Sequence, residues 1–279
     1  MKHTNKFYRD FLVTGEKFQL IPNKKYTGLL HTYPTPDAHS LAKYYESEEY
    51  ISHTDKSTGL LNQIYYQIRQ YNFYKKYKLI QQKSPGIKVL DYGCGTGEFV
   101  NYLNKKNINA FGFEPNPSAY EIATKKNKNI IFSSNLFLEH EKFDVITLWH
   151  VLEHIPDMFK VLERIKNALN PGGKIFIAVP NYESFDAQFY KEFWAAYDVP
   201  RHLWHFNQKS ISAIMNDFGM IIESIYPMIF DAYYVSMLSE KYKRSSLSLF
   251  RAFLVGSVSN LKAVQNGQYS SLIYEIRIK

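Results

Sequence analysis

The sequence is poor in the features that mark secreted, membrane-spanning and disulfide-stabilised proteins. Its 279 residues contain one cysteine, Cys94, so neither a disulfide framework nor an all-cysteine zinc site can form. No apolar run approaches the ~18 residues of a membrane-spanning helix, and no apolar segment of a secretion signal follows the first residues. We therefore expect a cytoplasmic protein without a membrane partner.

Long blocks of like charge are also absent, although the chain carries a net charge of +8 and a pI of about 9.2. The lysines stand in short pairs, whereas a nucleic-acid-binding tail has a run of about five or more like charges. The pattern favours an ordinary basic surface over a nucleic-acid partner. With 45% hydrophobic residues, the chain has enough apolar side chains for a large core.

From residue 88 onwards, short apolar strands alternate with amphipathic helices, which predicts a parallel sheet covered on both faces. The last strand alternates apolar and charged residues, as an antiparallel edge strand does. The predicted strands are Lys88–Tyr92, Ala110–Phe113, Ile130–Phe132, Phe143–Trp149, Lys174–Val179, Met220–Tyr226 and Leu272–Ile278. The predicted helices are 60–82, Glu98–Lys106, Pro117–Lys126, Met158–Leu169 and Ser210–Phe218.

Three regions fall outside this alternation. Residues 1–59 carry turn signals and little periodicity, and we interpret them as an N-terminal extension of a domain that spans 60–279. Within that domain, residues 181–207 form an aromatic, polar insertion and residues 227–263 a second, largely helical one. We expect the two insertions to form an acceptor pocket and to exclude water from it. The candidates for its aromatic wall are Tyr182, Phe193, Trp194 and Trp204.

The loop after the first predicted strand is the most informative segment. Asp91 ends the strand, and Gly93, Gly95 and Gly97 precede a helix. Glycine allows a backbone turn with positive φ and lets a ligand approach the main chain. A glutamate follows Gly97 where a dinucleotide fingerprint needs glycine, and the lysine of a phosphate-binding loop is missing. Glu114 ends the second strand, where a carboxylate can accept hydrogen bonds from ribose hydroxyls.

These motifs, together with Phe143-Asp144-Val145-Ile146 and the stretch His150-Val151-Leu152-Glu153-His154-Ile155, resemble the class I S-adenosylmethionine-dependent methyltransferases. The resemblance covers residues 85–226 and is strongest to a small-molecule subset of methyltransferase type 11/12/23. It implies an α/β, Rossmann-like fold with a seven-stranded, doubly wound sheet whose last strand is antiparallel. It also implies S-adenosylmethionine as cofactor and methyl transfer to an oxygen or nitrogen atom of a small molecule.

The resemblance further implies which residues hold the cofactor. Asp91 and the glycine loop would hold the methionine part, Glu114 the ribose, and the turn after the third strand the adenine. Many family members carry an acid in that turn, whereas Asn135 would accept from the adenine amino group through its amide oxygen. The predicted cofactor-binding residues are Tyr50, His53, Asp91, Tyr92, Gly93, Cys94, Gly95, Gly97, Glu114, Pro115, Asn135, Leu136, His150 and Val151.

The N-terminal extension resembles a region that carries a zinc ribbon in some members of this subset. The chain keeps Thr32-Tyr33-Pro34-Thr35-Pro36, Tyr44-Tyr45 and Tyr50-Ile51-Ser52-His53, but no cysteine precedes Cys94. We therefore expect a metal-free remnant. Tyr50 and His53 either fold over the cofactor or pack against helix 60–82.

The aromatic insertion contains the candidate catalytic residues His202 and His205. They stand in the run Pro200-Arg201-His202-Leu203-Trp204-His205-Phe206, which resembles a run found in the same subset. Histidine is the natural general base near neutral pH, and Arg201 could hold an anionic group. The alternative is structural: Arg201 pairs with Asp198, and the histidines cap the next helix.

Residues His150–His154 also spell H-x-x-E-H, a zinc-peptidase pattern. Peptidase chemistry needs both histidines on one helical face, but this segment leaves a strand and meets Ile155-Pro156, which disfavours a helix. We therefore expect no metal site. Cys94 has no neighbouring base in the sequence, so a nucleophilic role is not expected either.

Three other functions stay open. An RNA methyltransferase would show a contiguous basic face and strongly salt-dependent binding. A cofactor-binding protein without catalysis would lack an acceptor pocket. A dehydrogenase would bind NAD instead of S-adenosylmethionine.

Overall fold

The computed structural model describes residues 6–37, 40–41, 43–45, 60–81, 86–127, 129 and 131–279. The predicted cofactor contacts of Tyr50 and His53 lie outside these residues. The strands are β1 (Tyr8–Arg9), β2 (Lys17–Pro22), β3 (Leu30–Tyr33), β4 (Lys88–Tyr92), β5 (Asn109–Phe113), β6 (Ile131–Phe132), β7 (Phe143–Trp149), β8 (Leu169–Pro180), β9 (Trp204–His205), β10 (Met220–Pro227) and β11 (Ser271–Ile278). The α-helices are α1 (Leu60–Gln81), α2 (Glu98–Lys105), α3 (Pro117–Lys126), α4 (Met158–Asn167), α5 (Phe185–Tyr190), α6 (Gln208–Asp217), α7 (Ile229–Tyr242) and α8 (Ser248–Asn266).

The main sheet has seven strands in the order β10-β11-β8-β7-β4-β5-β6. Adjacent residues of the central strands point to opposite faces, yet both are apolar: Val89 belongs to one core cluster and Leu90 to the other. Val145 and Ile146 repeat this pattern on β7. Helices therefore cover both faces, and the predicted Rossmann-like, doubly wound α/β fold is confirmed.

The position of the last strand differs from the prediction. β11 runs antiparallel to β8 on one side and to β10 on the other, so β10 is the edge strand. The charged positions of β11 suggested a solvent-facing edge, but Glu275 is buried between neighbours. Lys174 on β8 forms an ion pair with Glu275, and the Tyr226 hydroxyl on β10 donates to its Oε2 atom over 2.7 Å.

Strand order reverses at β4, which lies between β5 and β7 and is parallel to both. In an open α/β sheet, ligands bind beyond the carboxyl end of the strand at such a reversal. The loop after β4 and the segment after β7 therefore border the same crevice.

A second sheet joins the N-terminal extension to the aromatic insertion. It has the order β1-β2-β3-β9, and β3 pairs with β9 through Leu30 opposite His205 and His31 opposite Trp204. The sequence analysis placed no strands in these regions, because short strands with mixed polarity lack a period. Residues 8–33 are thus attached to the insertion at 181–207.

The second insertion consists of α7 and α8, which pack closely at Gly256. A Cβ atom at that position would lie 2.7 Å from the Tyr233 ring, so the close approach requires glycine. The outer face of α8 leaves large apolar side chains exposed, among them Phe250, Phe253 and Leu261. Within the described ranges, no helix is both long and apolar enough to cross a lipid bilayer.

Candidate functional site

The loop between β4 and α2 contains three glycines with positive φ: Gly93 at 79°, Gly95 at 54° and Gly97 at 74°. Two of them are needed for packing. A Cβ atom at Gly93 would lie 2.6 Å from Val151 Cγ2, and one at Gly97 would lie 2.4 Å from Asn127 Nδ2. A Cβ atom at Gly95 would meet nothing within 4 Å. The main chain at Gly95 is therefore open to a ligand.

Glu114 lies against this open position. Its Oε2 atom accepts a hydrogen bond of 2.9 Å from the Gly95 N–H, and its Oε1 atom accepts one of 2.9 Å from Asn116 N–H. The residue is 8% exposed, and burial raises the pKa of its carboxyl group. Each carboxylate oxygen can accept a further hydrogen bond. The loop and the carboxylate thus form one wall of the crevice.

Asp91 lies at the base of the crevice, where it is buried. Its Oδ1 atom accepts a hydrogen bond of 2.7 Å from the Thr147 hydroxyl. Burial raises the pKa of Asp91 to about 6, against the opposing effects of the Thr147 hydrogen bond and the charge of Lys76. Buried acids with shifted pKa values occur often at functional sites.

Lys76 on α1 is a site residue that the sequence analysis missed. Its Nζ atom lies 4.4 Å from the centroid of the Trp149 ring. Burial lowers its pKa to about 8, against the attraction of Asp91 and Asp231. The available signal was its helical spacing from Phe73 and Ile80, which places a lysine on the apolar face of α1.

Replacing Asp91 with asparagine is expected to change how stability depends on pH. Because the folded pKa is raised to about 6 from 3.8, ionisation of Asp91 destabilises the native state progressively between pH 4 and pH 6. Asparagine still accepts from Thr147 but does not ionise. Between pH 4 and pH 6 the free energy of unfolding should therefore fall less in the variant than in the parent, by up to about 3 kcal/mol. Thermal unfolding at a series of pH values measures this difference.

The expected difference between the two proteins comes from the raised pKa of Asp91. Equal pH dependence of the two proteins between pH 4 and pH 7 would contradict a buried, ionisable Asp91.

The predicted adenine turn follows β6. Asn135 accepts a hydrogen bond of 2.7 Å at Oδ1 from the Tyr92 hydroxyl, and the Tyr92 ring packs against Phe113 with centroids 4.5 Å apart. The side chain of Leu136 is 62% exposed, and Pro115 is exposed as well. The turn therefore combines a fixed amide group with uncovered apolar surface.

His150 follows β7 with a φ of 56°. Its Nδ1 atom lies 3.3 Å from Glu153 Oε1, and its Nε2 atom lies 3.1 Å from Asp231 Oδ2. Burial alone would lower the pKa of His150, but Asp231 and Glu153 raise it to about 9. The imidazolium ion thus connects the segment after β7 to α7, and Val151 packs against Gly93.

Cys94 lies inside the glycine loop and packs against β5. A Cβ atom at Gly112 would lie 2.6 Å from its Sγ atom. Burial and the nearby carboxylates raise the pKa of the thiol well above its usual range. A half-buried thiol that keeps its proton is a poor nucleophile.

Arg201 is 1% exposed and forms a buried ion-pair network. Its guanidinium group donates to Asp198 and, over 3.1 Å, to Asp10 Oδ1. A further hydrogen bond of 3.1 Å reaches the Tyr44 carbonyl oxygen. The structural alternative, pairing with Asp198, is therefore correct, and the guanidinium is not available to hold an anionic ligand.

The two candidate catalytic histidines are both buried. The Thr32 hydroxyl donates to the His202 carbonyl oxygen over 2.6 Å, so His205 Nε2, 2.9 Å from that hydroxyl, is the donor to it. His202 Nδ1 donates to the Ala196 carbonyl oxygen over 2.9 Å. Burial lowers the pKa of His205 well below its usual value. Neither histidine caps the next helix, since Asn207 does so.

Both histidines border a small hollow in the aromatic insertion, with room for about one water molecule. Three of the four aromatic residues expected to line an acceptor pocket lie around it: Tyr182, Trp194 and Trp204. The fourth, Phe193, packs against Phe11 instead, with ring centroids 5.5 Å apart.

The chain is similar to known methyltransferases in sequence and in fold. Curated relatives include the ubiquinone biosynthesis O-methyltransferases of Actinobacillus pleuropneumoniae, 33% identical over 118 residues, and Hydrogenovibrio crunogenus, 30% identical over 124 residues. These matches cover 37% and 40% of this chain and 50% of each relative. The chain thus spans about half the length of the curated relatives it matches.

A solved structure with a similar fold is the magnesium protoporphyrin IX methyltransferase of Synechocystis PCC 6803 with bound SAH, at 14% identity and a TM-score of 0.57. The match covers 87% of this chain and 100% of that one. The sequence model of the methyltransferase domain family matches residues 64–225. The zinc-ribbon remnant lies before this range and stays a prediction. The chain belongs to the methyltransferase domain family, as its resemblance to the class I S-adenosylmethionine-dependent enzymes predicts.

Proposed function

We propose that the protein binds S-adenosylmethionine in the crevice beyond β4 and transfers its methyl group to an oxygen or nitrogen atom of a small molecule. The observation that carries the proposal is the contact between the Gly95 N–H and Glu114 at a backbone position with open space beside it. The names of the curated relatives, which are O-methyltransferases, favour oxygen.

The residues of the crevice suit the chemical groups of this cofactor. Glu114 offers carboxylate lone pairs to ribose hydroxyls, and Gly95 leaves space for the ligand beside the main chain. Asp91 and Lys76 offer one charge of each sign, which matches the ammonium and carboxylate groups of an amino acid. The exposed Leu136 offers apolar surface to the adenine ring.

The bound cofactor supplies an activated methyl group on a sulfonium that is a good leaving group. The protein therefore has to align the acceptor with the methyl group at ~3–3.5 Å and exclude water. We propose that the acceptor binds at the hollow beside His202 and His205, which has to widen to admit it, with Tyr182, Trp194 and Trp204 as its apolar wall. Either histidine could accept a proton from an acceptor that is still protonated at working pH.

Calorimetry and a product assay test the proposal. Titration with S-adenosylmethionine and with NAD should give binding of the first alone; binding of NAD would favour a dehydrogenase. S-adenosylhomocysteine should then form with members of a panel of phenols, sugars and amines. Product formation with RNA alone, or cofactor binding without any product, would favour the two other functions.

His205→Gln tests the general base. Glutamine keeps an N–H donor for Thr32 but has no imidazole lone pair, so the small sheet should survive. We expect turnover to fall by roughly 100-fold, with the affinity for S-adenosylmethionine unchanged. Unchanged turnover would remove His205 as the base and leave it a structural role.

A further inference from the structure

Glu153, His154 and His202 place one potential metal-ligating atom each within 4.8 Å of one another. Among the described residues, no other group of three histidine, cysteine or acidic side chains is arranged in this way. Glu153 and His154 belong to the 3₁₀ turn Leu152–His154 after β7, whereas His202 comes from the aromatic insertion. The cluster therefore joins the insertion to the carboxyl edge of the main sheet.

The hydrogen bonds of the two histidines fix which nitrogen can ligate. His154 Nδ1 lies 3.1 Å from the Arg201 carbonyl oxygen, and His202 Nδ1 lies 2.9 Å from the Ala196 carbonyl oxygen. A carbonyl oxygen only accepts, so each Nδ1 carries the proton and each lone pair is on Nε2. Metal-binding histidines almost always donate their second ring nitrogen to a carbonyl or carboxylate in this way.

Glu153 supplies the independent observation. Its side chain is fully buried, and Oε1 is 3.3 Å from His150 Nδ1. Its Oε2 atom is also buried and has no hydrogen-bond partner among the described residues. A buried carboxylate oxygen without a partner is destabilising, so a cation at this position would remove an unfavourable feature of the fold.

We propose that Glu153, His154 and His202 bind a divalent transition metal ion, with Zn²⁺ as the best match. Two imidazoles and one carboxylate form a common zinc ligand set that leaves a fourth position open, as in catalytic sites. Asp198 lies outside the cluster: its Oδ2 atom is 4.0 Å from His202 Nε2 and accepts from Arg201.

This site differs from the zinc-peptidase pattern in the same motif. The first histidine of H-x-x-E-H, His150, turns towards Asp231, and His202 takes the place that it would have in a helical site. We expected no metal site because each sequence motif, 150–154 and the His202–His205 pair, was considered by itself. The third ligand comes from about fifty residues away, next to Leu203, whose N–H donates to the Glu153 carbonyl oxygen over 2.8 Å.

The site would also assign different roles to the two candidate bases. A metal ion occupies the only lone pair of His202, so that residue could not accept a proton. If the protein is a methyltransferase, as proposed above, the open metal position next to the hollow would bind an acceptor oxygen. The metal site itself does not depend on that function.

Metal titration of the untagged 279-residue chain tests the site. After removal of metal by a chelator, Zn²⁺ should bind with one equivalent in calorimetry, and Co²⁺ should give visible d–d absorption at the same stoichiometry. His154→Gln and His202→Gln should each lower the affinity by more than the ~10–100-fold that loss of a supporting hydrogen bond costs. His205→Gln, a buried histidine of the same insertion outside the cluster, should keep it.

Glu153→Gln separates loss of a ligand from loss of the fold. Glutamine keeps the shape of the side chain, so near-ultraviolet circular dichroism should match the parent while Zn²⁺ binding is lost. Absence of one-equivalent binding, or binding that survives both His154→Gln and His202→Gln, would overturn the proposal. None of these readouts uses S-adenosylmethionine, so this site and the proposed function can fail separately.

Discussion

Gly95→Asp is expected to abolish S-adenosylmethionine binding and leave the fold intact. The new Cβ atom meets nothing within 4 Å, and aspartate tolerates the left-handed backbone conformation at a φ of 54° better than most residues. Its carboxylate would enter the crevice beside Glu114, where it takes up ligand space and adds a like charge. Such juxtaposition costs several kcal/mol, so we expect the Kd to rise by about 100-fold or more.

Gly172→Asp is the matched control for this variant. Gly172 has a φ of 76°, and a Cβ atom there also meets nothing within 4 Å. It lies near the start of β8, away from the carboxyl edge of the sheet. Calorimetry should show normal S-adenosylmethionine binding for Gly172→Asp and none for Gly95→Asp. The melting temperatures of the two variants should be similar. Normal binding by both variants would place the cofactor elsewhere.

Among the substitutions described, Arg201→Met is expected to lower the free energy of unfolding most. The guanidinium group is 1% exposed and neutralises Asp198 and Asp10. Methionine fills much of the volume but leaves the buried Asp10 carboxylate and the half-buried Asp198 carboxylate without their cation, which costs about 3–5 kcal/mol. For a chain of this size, the melting temperature should fall by roughly 10 °C.

The pH dependence of this variant provides a second readout. Burial would raise the pKa of Asp198, but the Arg201 charge holds it below its usual value. Without Arg201 the carboxyl group should bind a proton more readily, so acidification should narrow the difference from the parent protein. The exposed Lys125, paired with Glu121, is the control: Lys125→Met should change the free energy of unfolding by less than about 0.5 kcal/mol. Equal, small losses for both variants would contradict a buried network at Arg201.

The main sheet was predictable because its signals are local. The predicted strands Lys88–Tyr92 and Phe143–Trp149 and the helix Pro117–Lys126 agree with the structure residue for residue. Each is a continuous apolar or amphipathic segment that neighbouring turn residues delimit. The positive φ of the loop glycines followed from the same local pattern.

Features that depend on distant contacts were not predictable. The small sheet needs β3 to meet β9, about 170 residues later, and neither strand has a clear period. The partner of Arg201 on the N-terminal extension, Asp10, is equally remote in sequence. The predicted strand Lys174–Val179 begins five residues too late: Asn170-Pro171-Gly172-Gly173 is typical of a helix end, but it lies inside β8, where Gly172 adopts a positive φ.

The candidate site shows the same division. Glu114 and the glycine loop could be linked from the sequence because the carboxyl ends of adjacent parallel strands share one edge. Lys76 could not be linked to Asp91, because nothing in the sequence states which face of β4 helix α1 covers. His202 could not be linked to His154 either, because nothing in the sequence states where the aromatic insertion folds back onto the main sheet.

A crystal structure of the protein with S-adenosylhomocysteine tests the central claim most directly. The account predicts ribose hydroxyls within hydrogen-bond distance of Glu114 and the homocysteine part along the main chain at Gly93–Gly95. A ligand bound away from the β4 loop, or one that makes no contact with Glu114, would contradict it.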